Sequence, residues 1–136
     1  WHPPTSNGER EPKTEEAQTG LLMLEQTLWI ISNLQPKYYF IENPRGLMRK
    51  MPTVQYLPRH TVTYCQYGDN RMKPTDIWTN LEWNPKACKN GMPCHEKAPR
   101  GSRTGTQGLK NNHERSKIPY LLCRDIIETI LHKEND

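Results

Sequence analysis

A chain of 136 residues has room for one domain and one hydrophobic core. Only 33% of the residues are apolar and 12 are proline, which excludes a chain that is mostly packed core and predicts long irregular stretches. A net charge of +4 permits an anionic partner without requiring one. These residues show no apolar run of membrane-span length and no hydrophobic leader, so neither membrane insertion nor secretion is expected and a cytoplasmic location is. Four cysteines in such a setting point to free thiols or a metal site before disulfides.

The chain opens at Trp1 with no methionine, as a processed chain, a trimmed one or a piece of something longer would. Residues 1–13 are rich in Pro, Gly, Asn and charge and read as loop. Thr14 is a helix N-cap candidate, and Glu15 and Glu16 follow where the helix dipole favours negative charge. Leu21, Leu24, Leu28, Ile31 and Leu34 recur at helical spacing as a core-packing stripe, widened by Leu22, Trp29 and Ile30, and Pro36 stops the helix. Tyr38 to Ile41 then form an apolar run of strand length that ends in Glu42, with a turn signal at Asn43-Pro44. The run does not alternate, so it predicts a strand buried on both faces of a parallel sheet. In such sheets working groups sit beyond the strands' carboxyl ends, which is where this places Glu42. A strand-end cap is the plainer role for the same carboxylate.

A short helical turn is expected over residues 46–50, then a loop between Pro52 and Pro58. Residues 61–67 are β-branched and aromatic and predict a strand ended by Gly68-Asp69-Asn70. A second strand is expected over residues 76–79, paired as a hairpin around Arg71, Met72 and Lys73. Residues 81–115 show no sustained periodicity. So long an irregular stretch is usually functional or disordered. It carries Cys88, Cys94 and His95, three soft metal ligands, with His113 or Cys123 as a distant fourth. The spacing is not that of a zinc ribbon and the adjacent Cys94-His95 strains a tetrahedral arrangement, so a loop held by thiols and turns is the alternative. The run from Arg100 through Arg103 to Lys110 is basic and glycine-rich and could track phosphates, or be solvated surface. Ile118, Leu121, Leu122, Ile126, Ile127 and Ile130 mark a closing amphipathic helix with Pro119 near its first turn.

Three short motifs now line up. Phe40-Ile41-Glu42-Asn43-Pro44 with Gly46 resembles the Glu-Asn-Val motif of DNA cytosine-5 methyltransferases. Tyr67-Gly68, then Arg71 and Lys73, is similar to that family's Tyr-Gly … Gln-x-Arg-x-Arg segment. Ser116-Lys117-Ile118-Pro119 resembles its closing Asn-Ala-Val-Pro motif. The three stand in the family's order. The stretches ENPRGLMRKMP, TYCQYGDNRMKPTDIW, CKNGMPCH and APRGSRTGTQGLK resemble small methylases of phages and prophages, and the resemblance covers essentially the whole chain.

The resemblance implies a partial α/β fold, a doubly wound, Rossmann-like sheet of the S-adenosylmethionine-dependent methyltransferase type, with a long irregular basic loop. It implies methyl transfer to carbon 5 of a flipped cytosine in DNA, in phage DNA methylation or restriction-modification. A Cys thiolate adds to carbon 6 in that chemistry while a carboxylic acid engages ring nitrogen N3. By the same resemblance Glu42 is the acid, Arg71 holds the base, and Asn43, Pro44 and Lys73 belong to the substrate site. Arg100, Arg103 and Lys110 would meet DNA in the target-recognition stretch, and Ser116 and Ile118 the cofactor. The family's Phe-x-Gly-x-Gly cofactor motif and Pro-Cys nucleophile are absent. The Tyr-Gly segment is two residues shorter and lacks its Gln, and Pro44 stands where Val is usual. Cys65-Gln66 imitates the nucleophile but lacks the preceding Pro and follows the acid, so Cys65 is expected to be a small core residue. Residues 1–136 therefore resemble one partial domain, the carboxyl-terminal half of a catalytic domain, expected to need an amino-terminal half that carries cofactor and nucleophile. The rival reading is a non-catalytic nucleic-acid-binding module, stabilised or not by zinc.

Overall fold

The computed structural model describes residues 1–6, 10–89, 93–96 and 111–136. Helix α1 spans Glu15–Leu34. Thr14 caps it by accepting a hydrogen bond from the Ala17 amide, and Gln35 ends it in a left-handed conformation just ahead of Pro36. Strand β1 spans Phe40–Pro44, followed by a 3-10 turn over Leu47–Lys50 and a short helix α2 over Pro52–Gln55. Strand β2 is Arg59–Thr63 and strand β3 is Pro74–Thr79. Helix α3 (Asn112–Ser116) is one short segment, and α4 (Tyr120–Glu134) closes the chain with Pro119 as its N-cap. No helix among the described residues is long and apolar enough to cross a membrane.

The strands form one sheet in the order β1-β3-β2, with β3 antiparallel to both neighbours. It follows that β1 and β2 run parallel to each other with the reversed β3 between them. Two expectations change here. The strand at residues 38–42 is not buried between parallel neighbours; it is an edge strand, and only Ile41 in it is buried. Nor does it stop at Glu42. It continues through Asn43 and Pro44, which face Asp76 and Thr75 of β3. Pro44 is tolerated because an edge strand has a side on which no N–H is needed. The segment predicted as one strand over 61–67 also divides. β2 ends at Thr63 and residues Tyr64–Tyr67 wind into a 3-10 turn that Gly68 terminates at φ 90°. The ten residues between β2 and β3 thus form a structured connection where a simple hairpin was expected.

Each face of the sheet packs one long helix. Leu24 of α1 packs with Ile41 of β1 and Trp78 of β3, together with Met51 and Val54 from the α2 region. Leu21, Leu28 and Ile31 extend that layer, as their spacing predicted, but Leu34 at the end of the same stripe and the flanking Leu22, Trp29 and Ile30 are exposed, because the sheet they would cover does not reach them. On the other face Val62, Tyr64, Tyr67 and Ile77 pack with Leu122 of α4, joined by Ile126, Ile130, Phe40 and Trp83. Asp125 of α4 accepts hydrogen bonds from Tyr67 (3.0 Å) and from the Trp83 indole (3.1 Å), which fixes the rotation of α4 on the sheet. The result is three layers, helix, sheet and helix. Alternation along β1 sends Ile41 to the α1 side and Phe40 and Glu42 to the α4 side.

Candidate active site and a thiol cluster

Glu42 lies mid-strand on β1, and the pleat turns its carboxylate toward the 3-10 turn that follows β2. There the Tyr64 hydroxyl donates to Glu42 Oε1 at 3.3 Å. Tyr64 is fully buried. Burial pushes its hydroxyl well above the ordinary tyrosine range, and the neighbouring Glu42 charge pushes the same way, so Tyr64 stays a proton donor. Lys73 is placed over the ring of Tyr64, its Nζ 5.1 Å from the ring centre. Lys73 is 4% exposed and its backbone is left-handed at φ 34°. Its ammonium donates to the Arg115 carbonyl just before the closing motif. Burial draws the Lys73 ammonium below the ordinary lysine range, aided by Arg71 and opposed by Glu42.

Arg71 is 6% exposed and held rigidly by Asp69. Its Nε lies 3.0 Å from Asp69 Oδ1 and its Nη2 2.6 Å from Oδ2, the two-pronged pairing that a guanidinium makes with a carboxylate. The Arg71 amide also donates to Asp69 Oδ1 at 2.8 Å. Burial pushes the Asp69 carboxyl up, but the hydrogen bonds from Arg71 outweigh it and hold the group below its usual range. The third arm, Nη1, lies 3.5 Å from the Glu114 carbonyl. A cavity of about 430 Å³ opens here, with Asp69, Asn70 and Arg71 on one wall and Glu114, Lys117, Ile118 and Pro119 on the other.

Glu42 and Lys73 thus meet at Tyr64, while Arg71 and Ile118 share the wall of the cavity. The other expected site residues lie apart. Asn43 alternates to the α1 face, donates to the Pro44 carbonyl at 3.1 Å, and lines a separate apolar cavity of about 180 Å³ with Leu21, Leu24 and Met48. Pro44 is exposed. The Ser116 hydroxyl donates to the His113 carbonyl at 3.0 Å, and Ser116 is not among the residues lining the 430 Å³ cavity. Arg100, Arg103 and Lys110 lie outside the described residues.

Cys88, Cys94 and His95 do come together, and their fourth companion is Cys65. The four ligand atoms all lie within 4.8 Å of one another. The distant candidates for that position, His113 and Cys123, are not in the group. The expectation of Cys65 as a small core residue is half met: it is 9% exposed, but its sulfur faces two other thiols.

Sequence reasoning missed Tyr64, Asp69 and the role of Cys65 in this group. Asp69 was legible only as a turn residue. The available signal was its separation of two from Arg71, a common spacing for a carboxylate that folds back on the chain. Tyr64 and Cys65 were assigned to a strand, and it is the 3-10 turn that brings them within reach of Glu42 and of the other thiols.

No family model matches this chain, and no solved structure matches it. Over 95 residues it is 38% identical to a protein of Frog virus 3 (isolate Goorha) described as a probable DNA (cytosine-5)-methyltransferase. The alignment covers 65% of this chain and 44% of that protein, so the chain spans less than half the length of its relative. That similarity supports the DNA (cytosine-5)-methyltransferase family, the same family that the ordered motifs resemble.

Proposed function

We propose that this chain is the carboxyl-terminal half of the catalytic domain of a phage-type DNA cytosine-5 methyltransferase. The observation that carries the reading is the convergence of Glu42 and Lys73, positions of two separate motifs, on Tyr64, with Arg71 two residues before Lys73 held at the wall of the 430 Å³ cavity. Glu42 is the acid that engages the ring nitrogen of a flipped cytosine, with the buried Tyr64 hydroxyl steadying its carboxylate. Arg71, immobilised by Asp69, faces the cavity and holds the base. Lys73 adds positive charge behind Tyr64. Arg100, Arg103 and Lys110 contact the DNA backbone. S-adenosylmethionine supplies the methyl group in this chemistry. Ile118 would form an apolar wall of its site, while Ser116 spends its hydroxyl on His113 and fits the cofactor poorly.

A partial doubly wound sheet is consistent with the layers seen here. Helices cover both faces, and mixed sheets occur in that class, with the reversed strand here being the central β3. The outer edge of β1 is where a further strand would add.

The test is complementation. The chain is combined with a segment that carries the glycine-rich cofactor turn and the Pro-Cys loop, and methyl transfer to DNA is measured. Activity is expected for the combination, and Glu42→Gln should abolish it while leaving DNA binding nearly unchanged. Full activity in Glu42→Gln would remove Glu42 from the role of acid. The rival, a non-catalytic nucleic-acid-binding module, draws support from the thiol cluster. It predicts salt-dependent DNA affinity with no methyl transfer in any combination.

A further inference from the structure

We infer that Cys65, Cys88, Cys94 and His95 form a structural zinc site that fastens the segment after β3 onto the turn after β2. The inference stands whether or not the methyltransferase reading holds. Cys65 Sγ lies 3.2 Å from Cys88 Sγ and 3.7 Å from Cys94 Sγ. His95 Nδ1 lies 3.6 Å from Cys88 Sγ and 3.5 Å from Cys94 Sγ. A tetrahedron with zinc–sulfur bonds of about 2.3 Å and a zinc–nitrogen bond of about 2.0 Å has edges of about 3.8 Å between sulfurs and about 3.5 Å between sulfur and nitrogen. Three of the four measured edges agree within about 0.1 Å, and the fourth opens by about half an ångström on metal binding. Three thiols and one imidazole are the soft donor set that selects zinc over magnesium or calcium.

The surroundings hold the ligands before any metal arrives. The Cys88 amide donates to Thr63 Oγ1 at 2.8 Å, and the Lys86 amide donates to the Tyr67 hydroxyl at 2.9 Å. The Glu96 amide donates to the Asn70 carbonyl at 2.9 Å, and Glu96 forms a parallel bridge with Arg71. Residues 86–88 and 93–96 are therefore seated on either side of the turn that carries Cys65. A disulfide is a poorer account. The shortest sulfur pair is well beyond the roughly 2.05 Å of a bond, and bonding any two thiols strands the third beside His95.

On binding, the three thiols lose their protons, and neutral His95 donates its Nδ1 lone pair to the metal. The divalent ion then carries three thiolates, and three protons go to solvent. This closes the chain between Cys65 and His95 and fixes Glu96 against Arg71, at the rim of the 430 Å³ cavity.

The test uses the full 136-residue chain, purified reduced from zinc-supplied culture. One zinc per chain should survive gel filtration, and zinc addition should raise the melting temperature of chelator-stripped protein. Cobalt(II) in place of zinc should give tetrahedral ligand-field bands and a thiolate charge-transfer band. Cys65→Ser and His95→Ala should each weaken or lose those bands, whereas Cys123→Ser, at an exposed thiol outside the cluster, should keep them in full. If Cys65→Ser does not fold, His95→Ala decides alone. A melt that neither zinc nor chelator moves overturns the site. So does a Cys65–Cys88 disulfide in the unreduced protein, or cobalt bands insensitive to His95→Ala.

Discussion

Asp69 and Arg71 show how a buried charge is made useful. With side chains 15% and 7% exposed, each ion offsets much of the other's desolvation cost, and removing either leaves its partner buried and unpaired. Asp69 accepts two hydrogen bonds from the Arg71 guanidinium and fixes its orientation, so the guanidinium reaches the cavity wall without searching for a rotamer. Asp69→Asn leaves Arg71 buried and half-paired, and we expect a loss of about 2–4 kcal/mol, measured by denaturant unfolding at neutral pH. The pH dependence has a definite sign. The folded-state carboxyl titrates below its unfolded value of about 3.9, so between the two the unfolded chain binds more protons and stability rises with pH. The pair's contribution is complete above the unfolded value and is lost as pH falls through the folded one. Asp69→Asn should flatten that acid limb, and an unchanged limb would assign it to other carboxylates.

The turn from Tyr64 to Gly68 is the element on which the site depends. It sends Tyr64 toward Glu42 and Cys65 toward the thiol cluster from consecutive positions. A strand would also send neighbours to opposite faces, but it would carry the chain past both partners. Gly68 ends the turn at φ 90°, where a Cβ is strained and would also stand 3.2 Å from Leu121 Cδ1 of α4. Gly68→Ala should therefore cost about 1–2 kcal/mol from the backbone alone. It should also loosen α4 locally, which hydrogen exchange at the Tyr64–Tyr67 and Tyr120–Cys123 amides would read. Exchange confined to the turn would mean that Leu121 accommodates the methyl group.

At the scale of the molecule, the two long helices leave much apolar surface uncovered. Leu22, Trp29 and Leu34 of α1 are 65%, 60% and 74% exposed, and Ile127 and Leu131 of α4 are more than half exposed. One edge of β1 is also unpaired among the described strands. The reading proposed above accounts for both features by further strands and helices packed there. It predicts that the 136-residue chain alone transfers no methyl groups, since no residue in it matches the Pro-Cys nucleophile. Adding the complementary segment should restore activity and sharpen and raise the thermal transition. Methyl transfer by the chain alone would turn attention to Cys65.

Much of this architecture is dictated locally and can be read from the residues. Thr14, the leucine stripe and Pro36 fix α1 through capping, periodicity and the missing proline N–H. The isoleucine and leucine spacing after Pro119 fixes α4 in the same way. The β-branched run near Thr61 and the segment ending in Thr79 give the β2–β3 pair. Strand direction and neighbours were beyond such reading. An apolar run such as residues 38–41 is compatible with a doubly buried strand or with an edge strand covered by a helix on each face, and the choice depends on what packs against it. The extension of β1 through Pro44 was hidden for a similar reason, because proline breaks a strand only where its N–H would be needed. Bringing Cys65 to Cys88, Cys94 and His95, and Glu42 to Tyr64 and Lys73, required separations of 20 residues and more to close. Contacts of that range follow from the sheet order and the layers on it, and those only the tertiary structure decided.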